Sequence, residues 1–224
     1  MPFRFLTLLF VGTCLLAAQR HIPALLPPSQ DLVPPAIRDA RSRTFNSNRP
    51  LSRLEPTAGR MGRPRVQGEF LPAPELPFEE ADTVLVGEVI RIQPFLSSDK
   101  KGIYTEYVIR VADSIKSAPG TSPSAGDSLT ILREGGAVRL PNGQVAEHRL
   151  INDVTPAINQ SYLFCLVHVP SVAGFHYTKL WLIQNGQVQP LYPDDIGRTR
   201  EGRSVYAGKP LSEVTALLKA LIGK

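Results

Sequence analysis

At 224 residues the chain has room for one domain, or for one domain with tails. Residues 1–65 carry ten Arg and no Lys against three acids, a net of +7, while residues 66–224 carry fifteen basic and seventeen acidic residues, a net of −2. The part able to fold is close to neutral, which removes the main argument for a basic nucleic-acid-binding domain, and two cysteines cannot supply a disulfide-dense scaffold.

Residues 1–18 read as a secretory signal peptide. Met1-Pro-Phe-Arg4 gives a short positive start, Phe5 to Leu16 is almost continuously apolar, and Ala17-Ala18 offers small residues for cleavage before Gln19-Arg20. The apolar run falls short of the ~20 residues a membrane-spanning helix needs, and no later run reaches that length. A secreted or periplasmic chain without a transmembrane segment in its mature form is expected; an uncleaved anchor is the alternative. Cys14 follows Thr13 and precedes Leu15-Leu16-Ala17-Ala18, a poor setting for lipidation, so an envelope lipoprotein anchored at Cys14 is a further alternative. Cleavage would leave Cys165 alone and the domain held by its core.

Residues 19–76 read as a disordered Pro/Arg-rich linker. Eleven of residues 19–78 are Pro, aromatic residues are nearly absent before Phe70, and no apolar periodicity offsets the entropy of ordering. Arg38, Arg41, Arg43, Arg49, Arg53, Arg60, Arg63 and Arg65 offer cations to an anionic envelope polymer or lipid headgroup. A solvated spacer is the simpler reading.

The folded part is expected over residues 77–224. Residues 78–82 suggest a short helical turn. Thr83 to Ile92 is a strand, apolar on both faces at Val84-Leu85-Val86, with Gly87 marking a bulge or bend of the kind a barrel needs to close. Ile103 to Val111 alternates, placing Thr105, Tyr107, Ile109 and Val111 on one face and Tyr104, Glu106 and Arg110 on the other. Ser128 to Arg133 forms a strand stopped by Gly135-Gly136, and Ala137–Leu140 and Gln144–Leu150 flank the hairpin signal Pro141-Asn142-Gly143. Ser161–Val169, Tyr177–Gln184 and Gln187–Leu191 complete the strands, the last two joined across Asn185-Gly186. Val214, Leu217, Leu218 and Leu221 recur at helical spacing, with Ser212 as N-cap and Gly223 as stop, predicting a helix over about 211–222 that closes one end of the β core. The fold class is mainly β: a small antiparallel OB-like barrel with a C-terminal helix.

The order Ala81-Asp-Thr-Val-Leu-Val-Gly87, Tyr107-Val-Ile-Arg-Val111, Lys116, Gly135-Gly136 and Tyr162-Leu-Phe-Cys-Leu166 resembles a diffuse set of secreted bacterial proteins of unknown function. These are similar to the OB-fold domain of the tissue inhibitors of metalloproteinases and to the netrin C-terminal module. The resemblance covers roughly residues 80–191 and implies the barrel. It does not imply inhibition, because the inhibitors chelate a protease zinc through a mature N-terminal Cys and pin the barrel with disulfides, and this chain has neither.

No residue cluster announces a reaction. Cys165 and His168 fall on opposite faces of the Ser161–Val169 strand, so they cannot share a metal or form a thiol–imidazole pair; Cys165 reads as a buried small apolar residue, and His168 and His176 as strand-end and loop residues. Asp194-Asp195 fits a Pro-marked turn better than a pair of catalytic carboxylates, and Glu79-Glu80 with Asp82 fits a solvated turn. Glu134-Gly135-Gly136 lacks the Lys and helix of a phosphate loop, and Gly197 to Arg203 reads as a solvated basic loop. Tyr104, Tyr107, Tyr162, Phe164, Tyr177 and Trp181 come without clustered Lys or Arg, which disfavours single-stranded nucleic acid. No catalytic, cofactor-binding or metal-binding residue is assigned. The expected function is a secreted, non-enzymatic binding or structural domain that contacts another protein or an anionic envelope polymer, with an extracytoplasmic hydrolase as the alternative.

Overall fold

The structure is a computed structural model that describes residues 33–46, 78, 80–148, 154–191 and 206–222. Among the described residues eight strands form: β1 (Thr83–Leu96), β2 (Ile103–Lys116), β3 (Ser128–Glu134), β4 (Gly136–Arg139), β5 (Val145–His148), β6 (Ser161–Val169), β7 (Gly174–Gln184) and β8 (Gln187–Gln189). Helices α1 (Pro35–Thr44) and α2 (Leu211–Ile222) flank them in sequence. The main sheet runs β3-β2-β1-β6-β7-β8, and a parallel pairing of Ile131 with Phe175 joins β3 to β7. Five strands thereby close into a barrel in which β1 pairs with both β2 and β6, the OB-like arrangement. β4 and β5 form a separate two-stranded hairpin.

Closure requires bends, and β1 supplies them. Its pairing with β2 shifts register at Val84/Leu85, Val86/Gly87 and Val89/Arg91. Gly87 sits at the middle shift, where a Cβ would stand 3.0 Å from the Arg110 carbonyl oxygen, so any side chain there would push the two strands slightly apart. At Gly136 the backbone is left-handed, with φ +129°, and a Cβ would collide with Thr105 Oγ1. Thr105 Oγ1 donates to the Gly135 carbonyl oxygen at 2.7 Å, tying the start of the β4–β5 hairpin to β2. Asn185 and Gly186 both take positive φ, as a two-residue hairpin turn demands.

There are two cores. Leu85, Val89, Tyr107, Ile109, Ile131, Phe164, Leu166 and Leu180 fill the barrel. Val84, Val86, Leu163, Cys165 and Trp181 form the other face of the same wall and are covered by Val214 and Leu218 of α2. This accounts for β1 and β6 being apolar on both faces. It also corrects the expected place of α2, which covers a flank of the wall instead of plugging an end. Only half of its apolar stripe is used, since Leu217 and Leu221 remain exposed. The helix starts at Leu211, so Ser212 lies inside the first turn and is no N-cap; Gly223 lies outside the described residues.

Two further expectations change. Phe78 and Glu80 lie in turns, and Asp82, expected in a solvated turn, is half-buried and structural: its Oδ2 accepts from the His168 backbone N–H at 2.9 Å. Part of the segment read as a disordered linker is helix α1, and it is docked on the barrel. Pro35 sits at the first helical turn, where a missing N–H costs nothing, and Arg41 and Arg43 complement the dipole at the last turn. Ten residues are too few for a stable isolated helix. α1 therefore depends on what it packs against.

Candidate binding groove under helix α1

The groove has three walls, all from the barrel. Its floor is the outward face of β2 at Tyr104 and Glu106, residues that alternation places away from the barrel core. On one side stands the loop joining β1 to β2, residues 97–102. On the other stands a 3-10 turn, Pro170–Val172, which joins β6 to β7 and ends at Ala173 in a left-handed conformation (φ 45°, ψ 54°). α1 lies between them and inserts Arg38 and Arg41, three residues apart on one helical face, and Phe45 follows directly as its C-cap residue.

Arg41 makes the deepest contact. Its Nε donates to the Val172 carbonyl oxygen at 2.9 Å, its Nη2 to the Ala173 carbonyl oxygen at 2.9 Å, and its Nη1 to Glu106 Oε2 at 3.1 Å. The two side chains are only 4% and 3% exposed, so this is a buried ion pair, strongly sensitive to loss of either partner. The strained turn at Ala173 aims two successive carbonyls at one guanidinium. Glu106 Oε1, the other carboxylate oxygen, is buried without a hydrogen-bond partner among the described residues.

Phe45 fills an aromatic slot. Its ring stacks on Tyr104 at 5.0 Å and 10° and on His176 at 5.6 Å and 14°, while Tyr104 stacks in turn on Phe95 at 5.4 Å. The Arg38 guanidinium lies 4.6 Å from the Phe95 ring centre, a cation–π contact. His176 is not in a loop: β7 begins at Gly174, three residues earlier than the sequence suggests, and carries His176 opposite Val167. Burial holds its imidazole below the ordinary histidine value, and its Nε2 is buried with no partner among the described residues.

Backbone contacts complete the docking. The Ser98 N–H donates to the Ser42 carbonyl oxygen at 3.2 Å, and Asn46 Oδ1 accepts from Ser98 Oγ at 2.8 Å and from the Asp99 N–H at 3.2 Å. The Phe45 carbonyl oxygen closes on Gly102.

The residues weighed from sequence are placed as follows. Cys165 is 1% exposed on the α2 side of the wall, where burial pushes its thiol up to about 12. His168 tilts against Phe175 with ring centres 5.0 Å apart, apart from Cys165. Gly135 and Gly136 take positive φ, 97° and 129°, at the junction of β3 and β4. Asp194, Asp195, Glu79 and the 197–203 loop lie outside the described residues, as do Cys14, Arg49, Arg53, Arg60, Arg63 and Arg65. Among the described residues, no three His, Cys, Asp or Glu side chains are grouped to hold a metal ion. No helix among them is long and apolar enough to cross a membrane. Sequence reasoning passed over Glu106 and Phe45; a carboxylate midway along the apolar-rich β2 run was the available signal for the first.

No protein-family model and no curated protein matches the chain.

Proposed function

We propose that this chain is an exported, non-enzymatic protein-binding module whose ligand surface is the groove that α1 covers. One observation carries the proposal. On an OB-like barrel, ligands are taken on the face of the second and third strands and the loops beside it. Here that region holds a helix through side-chain-specific contacts to Glu106, Tyr104 and His176. That the occupant is a segment of the chain's own polypeptide supports a peptide ligand. Its chemistry favours that class further. A slot built from a carboxylate and two carbonyl oxygens accepts a guanidinium and repels phosphate or any anionic polymer. Cleavage after Ala18 and export belong to the same proposal.

The test is photo-crosslinking in the native host. A benzoylphenylalanine placed at position 176 of the full chain carrying Arg41→Ala and Phe45→Ala should give a discrete adduct with one protein. The same probe at Leu217, exposed on α2, should not. An adduct from 217 with none from 176 refutes the groove as the ligand surface. N-terminal sequencing of the exported chain should begin at Gln19, and a chain retained intact inside the cell refutes export.

A further inference from the structure

We infer that the groove recognises a helical segment bearing an arginine and, four residues later, an aromatic ring, and that α1 is its tethered self-ligand, displaced by a partner segment of the same kind. The inference rests on the proposal that the groove is a binding surface and specifies what it binds and how access is controlled.

The recognising groups are fixed by the barrel, not by α1. Glu106 is held in β2 between Thr105 and Tyr107, whose side chains are buried on the barrel side. The carbonyls of Val172 and Ala173 are set by the turn between β6 and β7. Tyr104 is anchored on Phe95, and His176 is held by its pairing in β7. Neither core cluster contains a residue of α1, so the barrel core that carries β2, β6 and β7 does not depend on the helix. The groove thus reads one turn of helix through its arginines and the residue that ends the helix through its ring.

α1 is also an imperfect occupant. It engages Glu106 through one oxygen and leaves Oε1 buried and unpartnered among the described residues, and it leaves His176 Nε2 in the same state. Each such group costs roughly tenfold or more in an equilibrium constant. A partner arginine that meets both carboxylate oxygens as a fork recovers that loss, and lysine, a single point of charge, does not. The groove is therefore filled well enough to exclude casual ligands and poorly enough to be emptied by a better one.

The experiment uses the full chain and a fluorescein-labelled peptide of residues 33–46, stapled between the exposed positions 39 and 43 to hold it helical. Fluorescence anisotropy should show saturable binding to the Arg41→Ala/Phe45→Ala chain and at least tenfold weaker apparent binding to the wild-type chain, whose own arm competes. Adding Glu106→Gln to the double variant, or Arg41→Lys to the peptide, should weaken binding about tenfold further. Arg41→Ala alone replaces the double variant if circular dichroism shows the latter unfolded. Equal binding to wild type and variant would place the peptide elsewhere and overturn the inference, as would binding to neither. A protein adduct at position 176 without peptide binding would overturn the arginine–aromatic specificity alone; loss of both results removes the binding-module proposal as well.

Discussion

Arg41→Ala is the perturbation that separates a docked helix from a passive tail. It removes three hydrogen bonds and leaves Glu106, whose side chain is 3% exposed, without its cation. Breaking a buried pair from one side costs about 3–5 kcal/mol if the surroundings stay in place. Here they need not. α1 can lift away and let water reach Glu106, so the cost is capped by the free energy with which α1 docks. Two readouts follow. The Ser98 and Asp99 amides, paired with Ser42 and Asn46, should lose hydrogen-exchange protection whichever route is taken. With about 2–4 °C of melting temperature per kcal/mol for a chain of this size, a loss of ~3 kcal/mol lowers the midpoint by about 6–12 °C. Arg41→Lys should fall between, because it keeps the charge and loses the fork. Deleting residues 19–76 should lower the midpoint similarly, where a disordered linker would leave it unchanged. A variant that melts within a degree of wild type, with Ser98 and Asp99 still protected, would refute the docking argument.

Other outcomes follow from the same contacts. Because burial depresses His176, it is neutral in both folded and unfolded chains above about pH 6.5, and below that the unfolded chain takes up the proton first. Stability should therefore fall on acidification from pH 7 towards 5, and His176→Phe, which keeps a ring in the stack, should flatten that slope in thermal melts; an unchanged slope would assign the effect to other groups. Leu218→Ala should cost about 2–5 kcal/mol in urea unfolding by opening a cavity under α2, and Leu217→Ala, on its exposed face, under about 0.5. Gly136→Ala should destabilise by more than about 1 kcal/mol, because it combines positive φ with a collision at Thr105; urea unfolding of wild-type midpoint would show that the hairpin relaxes freely.

The barrel was legible because its signals are the ones a sequence carries openly. β2 alternates, Asn185-Gly186 marks its hairpin, and Gly87 sits where β1 slips against its neighbour. α1 was not legible, because the face it buries is Arg38, Arg41 and Phe45. Apolar periodicity finds aliphatic stripes and is blind to a guanidinium that is buried by being paired. The prolines misled as well: Pro34-Pro35 counted towards disorder, yet Pro35 opens the helix and no proline follows until Pro50. His176 was missed for a different reason. The turn between β6 and β7 is only a few residues long, so the strand takes up positions that composition assigns to a loop.

Gly102 records all of this in one atom that is not there. Its φ is not positive, so the backbone conformation at this position would accept alanine. A Cβ would press on Ser97 Oγ at 3.1 Å, an atom that accepts from the Gly102 N–H at 2.7 Å and donates to the Gly102 carbonyl oxygen at 3.1 Å, and it would also strike the Phe45 carbonyl oxygen. A single methyl group at residue 102 thus opposes seating of the arm through the Phe45 backbone and also presses on the Ser97 hydroxyl of the adjoining loop. Substitution tolerance at that position therefore reports the seating of the arm and the Ser97 contact together.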